Sequence, residues 1–174
     1  MTQAFVAVGS NIDPEKHLLE ALCLLARSHR VTGVSTVYRT EPEGRPHDPP
    51  YLNCVVRLDT DMEPESFKLK VLRRIEDDLG RERTSDRSEN RTIDLDLIIF
   101  GSMTVNSATL TIPDPDISNR PYLALPLYEL ANALVLPGSG KKIADIAVSL
   151  RSCSMEPMSD YTELVRSEVL KDAT

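Results

Sequence analysis

Apolar runs with the periods of strands and helices alternate along this chain in the order β-α-β-β-α-β, and that order predicts an α+β fold. More narrowly, it predicts a ferredoxin-like αβα sandwich built on a mainly antiparallel sheet. A length of 174 residues with 41% hydrophobic composition is enough for one core without disulfides. Residues 1–150 are expected to form the domain body. The remainder, 151–174, is a C-terminal extension that packs as a helix or trails as a loose tail.

The first strand is Ala4-Phe5-Val6-Ala7-Val8, ended by the turn Gly9-Ser10-Asn11. Asp13 then caps a helix with Pro14 at its first position, and Leu18, Leu19, Leu22 and Leu25 supply the buried stripe. Val31 to Arg39 reads as one strand. The stretch from Thr40 to Pro50 holds Pro42, Pro46, Pro49 and Pro50, too many for regular structure. Leu52 to Asp59 alternates as a strand. Glu63 to Leu79 reads as a helix with Phe67, Val71 and Ile75 inward, and Gly80 stands at its C-terminus. Arg81 to Asn90 is charged and without periodicity, which predicts a mobile loop. After the strand that follows come Leu110 to Ile112, a turn through Pro113 and Pro115, and helices over Arg120 to Leu130 and Lys142 to Leu150. A weak helical pattern covers Glu163 to Leu170.

Composition excludes several classes of function. A net charge of -7 argues against a nucleic-acid backbone or an anionic membrane as the main partner. Cys23, Cys54 and Cys153 lack metal-ligand spacing, and with no apparent signal peptide they fit a reducing, cytoplasmic setting. Phosphate loops of the Gly-x-x-x-x-Gly-Lys or Gly-x-Gly-x-x-Gly type are missing. His17, His29 and His47 sit in polar surroundings and pair with no nucleophile.

The chemistry is concentrated in residues 90–101, where Arg91, Asp94 and Asp96 head a strand. Alternation puts both carboxylates on one face, with Cα atoms about 6–7 Å apart, and Leu95 and Leu97 on the other. A lone Asp-x-Asp is more often a solvated strand end. Here Arg81, Arg83, Arg87 and Arg91 lie just upstream. Carboxylates that hold Mg²⁺ beside arginines that neutralise phosphate oxygens form one device. A second cluster joins Tyr51 and Asn53 with Tyr122. Two rings could enclose a flat heterocycle whose edge Asn53 would read, although each tyrosine alone is more often a core-edge residue.

Val8-Gly9-Ser10-Asn11, Tyr38-Arg39-Thr40, Tyr51-Leu52-Asn53, Arg91-Thr92-Ile93-Asp94-Leu95-Asp96 and Asn119-Arg120 resemble, in order, the motifs of the 6-hydroxymethyl-7,8-dihydropterin pyrophosphokinases over residues 3–150. The resemblance implies transfer of pyrophosphate from ATP to a pterin alcohol in folate biosynthesis, with ATP as co-substrate and two Mg²⁺ ions on Asp94 and Asp96. By the same resemblance, Arg81, Arg91, Asp94 and Asp96 carry catalysis. Glu76, Arg81, Arg83, Arg91, Leu97, Leu110, Thr111 and Arg120 surround ATP, and Gly9, Thr40, Pro42, Tyr51, Asn53 and Tyr122 form the pterin pocket. The implied partners are therefore small molecules.

The chain departs from the family pattern at several points. Asp114 and Pro115 replace a usual His and Tyr, Ser88-Glu89-Asn90 a usual Trp-Gly-Pro, and Thr84 a common lysine. Glu41 and Glu43 make the pterin loop more acidic. Asp114 either faces phosphates with the wrong sign or caps the next turn, and acids between prolines more often shape turns. Two rival readings remain: a divergent pterin-binding homologue with weak or altered transfer, and a non-enzymatic interaction domain, which would have no need of the acid pair and its arginines.

Overall fold

The computed structural model describes residues 1–42, 44, 46–82 and 90–171. Its centre is a six-stranded antiparallel sheet in which β5 (Asp94–Phe100), β1 (Thr2–Ser10), β4 (Tyr51–Thr60), β3 (Tyr38–Thr40) and β8 (Glu156–Pro157) lie side by side. β2 (Arg30–Val34) also pairs with β4. The first four segments of the sheet thus follow the ferredoxin-like order, with helices on both faces. β6 (Val105–Asn106) and β7 (Thr111–Ile112) make a separate small hairpin.

Alternation along the strands divides the core. Val6 and Val8 of β1, Cys54 and Val56 of β4 and Leu95 and Leu97 of β5 face one side. There they meet Leu18, Leu22 and Leu25 of α1 (Pro14–Ser28) and Tyr161, Val165 and Val169 of α6 (Ser159–Val169). Phe5, Val55 and Ile99 face the other side, against Ala124 and Leu127 of α4 (Pro121–Leu130) and Ile143 and Ile146 of α5 (Ile143–Leu150). A bulge opposite Phe5 and Val6 absorbs Ile98 without disturbing this assignment.

Four local expectations change. The strand expected over 31–39 is two strands. Between them the Ser35 N–H donates to the Val55 carbonyl at 3.0 Å and the Ser35 hydroxyl accepts from the Val55 N–H at 2.9 Å, so the chain leaves regular pairing there. Asp13 precedes α1 with φ 43°, in the left-handed region, and makes no side-chain cap bond; Pro14 does open the helix. The helix expected over 63–79 is α2 (Pro64–Phe67) and α3 (Arg73–Asp78), joined by a π turn over Lys68–Leu72. The wider turn rotates the inward face. Phe67, Leu72 and Ile75 are therefore buried, while Val71 is only partly so. His29 also differs from its polar expectation: half-buried, it meets the Phe67 ring edge-on at 5.0 Å, and burial lowers its pKa.

Gly80, with φ +75°, ends the helix as the sequence predicts. Residues 159–169 form a packed helix in the same core as α1. Among the described residues, no helix is long and apolar enough to cross a membrane.

Candidate active site

The covering helix α4 begins only at Pro121, so the ends of β1, β4 and β5 beyond it are open on that face. A cleft of about 600 Å³ lies there. Its floor is a row across the sheet: Asp94 opposes Gly9, Gly9 opposes Asn53, and Asn53 opposes Tyr38. Strands stand about 4.8 Å apart, which separates the Asp94 and Asn53 backbones by roughly 10 Å.

All six residues of the expected pterin pocket, Gly9, Thr40, Pro42, Tyr51, Asn53 and Tyr122, line this cleft. So do Arg91, Asp94, Asp96 and Arg120. The Asn53 amide donates to the Thr40 hydroxyl at 2.7 Å. A Cβ on Gly9 would meet the Asn53 amide oxygen at 2.9 Å, so the glycine is needed for close approach.

Asp94 sits between two guanidinium groups, accepting from Arg81 Nη1 at 2.6 Å and from Arg91 Nη1. Arg81 Nη1 also donates to Glu76. Glu76 is buried and accepts from the Leu95 N–H at 2.8 Å, so α3 reaches the backbone of β5 between the two aspartates. Asp96, open to the cleft, is pushed up to about 7 by its surroundings. Loss of hydration contributes most, followed by the carboxylates of Asp94 and Glu76; Lys68 opposes the shift and Asp114 adds to it.

Asp114 caps the turn. Its side chain accepts from the Asp116 N–H at 2.8 Å, at the start of the 3-10 turn Pro115–Ser118. It lines the cleft as well, and burial raises its pKa. The turn it shapes presents its Asp116 carbonyl to the Arg120 N–H at 2.8 Å, which fixes the backbone entry to α4.

Several expected nucleotide residues stand elsewhere. Leu97 and Leu110 bury their side chains in the core, Leu97 on the sheet face away from the cleft, so a ligand there would meet backbone. Thr111 is exposed on β7, and Glu76 and Arg81 stand behind Asp94. Arg83, with Glu43, Thr84, Arg87 and Ser88-Glu89, lies outside the described residues, as does most of the loop expected to be mobile.

Sequence reasoning missed Asn11, whose turn was noted without a role. Its carboxamide donates to Asn90 Oδ1 at 2.7 Å and to the Pro49 carbonyl at 3.3 Å, and it accepts from the Arg91 N–H at 2.7 Å. The Ser10 hydroxyl adds a bond to the Thr92 carbonyl at 2.5 Å. Together these two polar residues seat the approach to β5 against the end of β1. Leu123 and Asp116 were also missed as lining residues.

Comparison with known proteins sets this cleft in a family. The family model "7,8-dihydro-6-hydroxymethylpterin-pyrophosphokinase (HPPK)" matches residues 5–132. This chain belongs to the HPPK family. A Haemophilus influenzae relative, 2-amino-4-hydroxy-6-hydroxymethyldihydropteridine pyrophosphokinase, is 38% identical over 143 residues, spanning 80% of this chain and 88% of the relative. A Synechocystis protein of the same description is 35% identical over 164 residues, 92% of this chain and 83% of its own length. In fold, the chain is similar to the Plasmodium falciparum HPPK-DHPS structure with STZ-DHP, with a TM-score of 0.70 at 14% identity over 87% of this chain and 43% of that one. The HPPK match covers β1 through α4 and therefore every element that lines the cleft.

Proposed function

We propose that this chain transfers the pyrophosphoryl group of ATP onto the hydroxymethyl oxygen of 6-hydroxymethyl-7,8-dihydropterin, releasing AMP. The observation that carries this reading is the polarity of the cleft. Asp94, Asp96 and Arg91 stand at the β5 end, Asn53, Thr40 and Tyr51 stand at the β3–β4 end beside Glu41, and the start of α4 adds Arg120 and Tyr122. The heterocycle lies between Tyr51 and Tyr122, with its edge on Asn53. Its hydroxymethyl arm points along the row towards β5.

Asp94 and Asp96 fit Mg²⁺ by donor type. They offer oxygen only, and among the described residues no group of three His, Cys, Asp or Glu side chains could hold a metal by itself. Two carboxylates completed by phosphate oxygens and water match the preference of that ion for incomplete protein shells. Two Mg²⁺ ions held there would neutralise and orient the triphosphate. Asp96 is consistent with this: lost hydration first, and the carboxylates of Asp94 and Glu76 after it, push its pKa up to about 7, and a bound cation would offset both.

The chain's own residues then bind and align. Arg91 and Arg120, lining the cleft, take the phosphate oxygens. Arg81 contributes from behind Asp94. The pterin hydroxyl attacks the β-phosphorus in line: its oxygen forms the new P–O bond, its proton passes to water, and the bond to AMP breaks with the electron pair going to the AMP oxygen. Positioning and charge neutralisation carry most of the rate. Unpaired Cys23, Cys54 and Cys153 suit a cytoplasmic setting for the reaction.

AMP release is measured with ATP, Mg²⁺ and the pterin alcohol. Wild-type protein should turn over, while Asp94→Ala and Asp96→Ala should lose about 10²–10³ or more in rate yet retain pterin affinity. Activity within tenfold of wild type in either variant would remove the metal assignment, and an inactive wild type would favour a divergent pterin binder.

A further inference from the structure

β3 has only three residues, and Thr40, its last, leads into the cleft wall. A strand this short at a sheet edge is weakly held. In this chain its outer side is covered, because β8 pairs Glu156 with Arg39 and Pro157 with Tyr38. Just before β3, the fully buried Val37 has both backbone polar groups taken by the same C-terminal segment. Its N–H donates to the Thr162 hydroxyl at 2.9 Å, and its carbonyl accepts from the Met158 N–H at 2.8 Å. Thr162 is 2% exposed, and its hydroxyl donates in turn to the Met158 carbonyl at 2.8 Å.

The segment is anchored at both ends of α6. The Tyr161 hydroxyl donates to the Glu15 carbonyl, Arg166 Nε donates to the Val34 carbonyl at 3.0 Å, and Val165 and Val169 enter the core. On the opposite face, Glu129 of α4 accepts from the Thr36 N–H at 2.8 Å and the Tyr38 hydroxyl at 2.5 Å. The stretch between β2 and β3 is therefore gripped from both faces of the sheet. The C-terminal grip lies wholly beyond residue 132, where the family match ends.

We propose that Thr162 is a positioning residue for the heterocycle end of the cleft, acting through Val37 and β3 on Thr40. The Thr40 hydroxyl accepts from the Asn53 amide and so sets which way the carboxamide faces the cleft. Asp94 and Asp96 stand on β5, beyond β4 and β1, and among the described residues the strap's hydrogen bonds go to Val37, Val34 and Glu15 and not to them. The strap therefore acts on one substrate and not the other. This inference rests on the pterin role given to Thr40 and Asn53 above.

Thr162→Val keeps the side-chain shape and removes the hydroxyl. It should raise the KM for the pterin alcohol about fivefold, the scale of one lost buried hydrogen bond, with kcat and the KM for ATP unchanged. Thr162→Ser, which restores the hydroxyl, should return the pterin KM to the wild-type value. Arg166→Leu loosens the same strap at a part-exposed position and should show the same split on a smaller scale; it carries the test if Thr162→Val does not fold. Thr40→Ala and Asn53→Ala are measured alongside. An unchanged pterin KM in those two overturns the heterocycle assignment and the strap with it. A raised KM there, with no change in Thr162→Val and Arg166→Leu or with an equal rise for both substrates, overturns the strap alone.

Discussion

Asp96 differs from an ordinary surface carboxylate in the direction of its linkage to stability. Its group titrates near ~3.9 when the chain is unfolded and at about 7 when folded. Between those values the native state holds a proton that the unfolded state has released, so stability falls as pH rises across that window. Asp96→Asn removes the charge that lost hydration in the cleft and the neighbouring Asp94 disfavour. The variant should melt higher than wild type at pH 8 without Mg²⁺ and nearly level with it at pH 4. Equal differences at both values, measured by calorimetry, would mean that the carboxylate is not under electrostatic stress. Gly9 supplies a steric counterpart. Its Cβ position lies 2.9 Å from Asn53 Oδ1, a distance that forces the amide aside. Gly9→Ala should therefore weaken pterin binding by about 1–3 kcal/mol while nucleotide affinity holds, as read by titration calorimetry. Equal loss for both ligands would place the damage in the fold.

Asn11 acts between elements and joins the end of β1, the loop at Pro49 and the start of the Arg91 segment. Asn11→Ala leaves the Arg91 N–H without its side-chain acceptor, a cost of about 1–3 kcal/mol. Hydrogen exchange at the Arg91 amide should speed up, and denaturant unfolding should shift by that amount; unchanged protection would show the link to be incidental. Such ties also mark what could be read in advance. The shared face of Asp94 and Asp96 was legible, because a period of two needs only local sequence. The cap at Asp114 was legible for the same reason, since its partner is two residues away. Asn11 was not, because its partners lie 38, 79 and 80 residues distant. The break between β2 and β3 depends on Val55 and Thr162, and the burial of Leu72 in place of Val71 depends on a π turn packed against β5. Periodicity carries none of that information.

At the scale of the whole molecule, one sheet serves two cores. The α1–α6 side is covered by helices, whereas the α4–α5 side is left open at one end to make the cleft. Leu22 and Leu127 are both fully buried, one on each side. Replacing either with Ala should cost about 2–5 kcal/mol. The strands β1, β4 and β5 contribute residues to both cores, so neither side has a sheet of its own on which to survive the loss of the other. Both variants should therefore unfold in a single transition with the wild-type dependence on denaturant. Their functional effects should separate. Leu127 lies in the same helix as Tyr122 and Leu123, so a cavity beneath it lets the cleft wall shift; Leu22 supports the opposite face. At a temperature where both variants are folded, Leu127→Ala should raise the pterin KM and Leu22→Ala should leave it unchanged. A two-step melt would show that the faces fold separately, and equal KM values would show that α4 holds its wall without that packing.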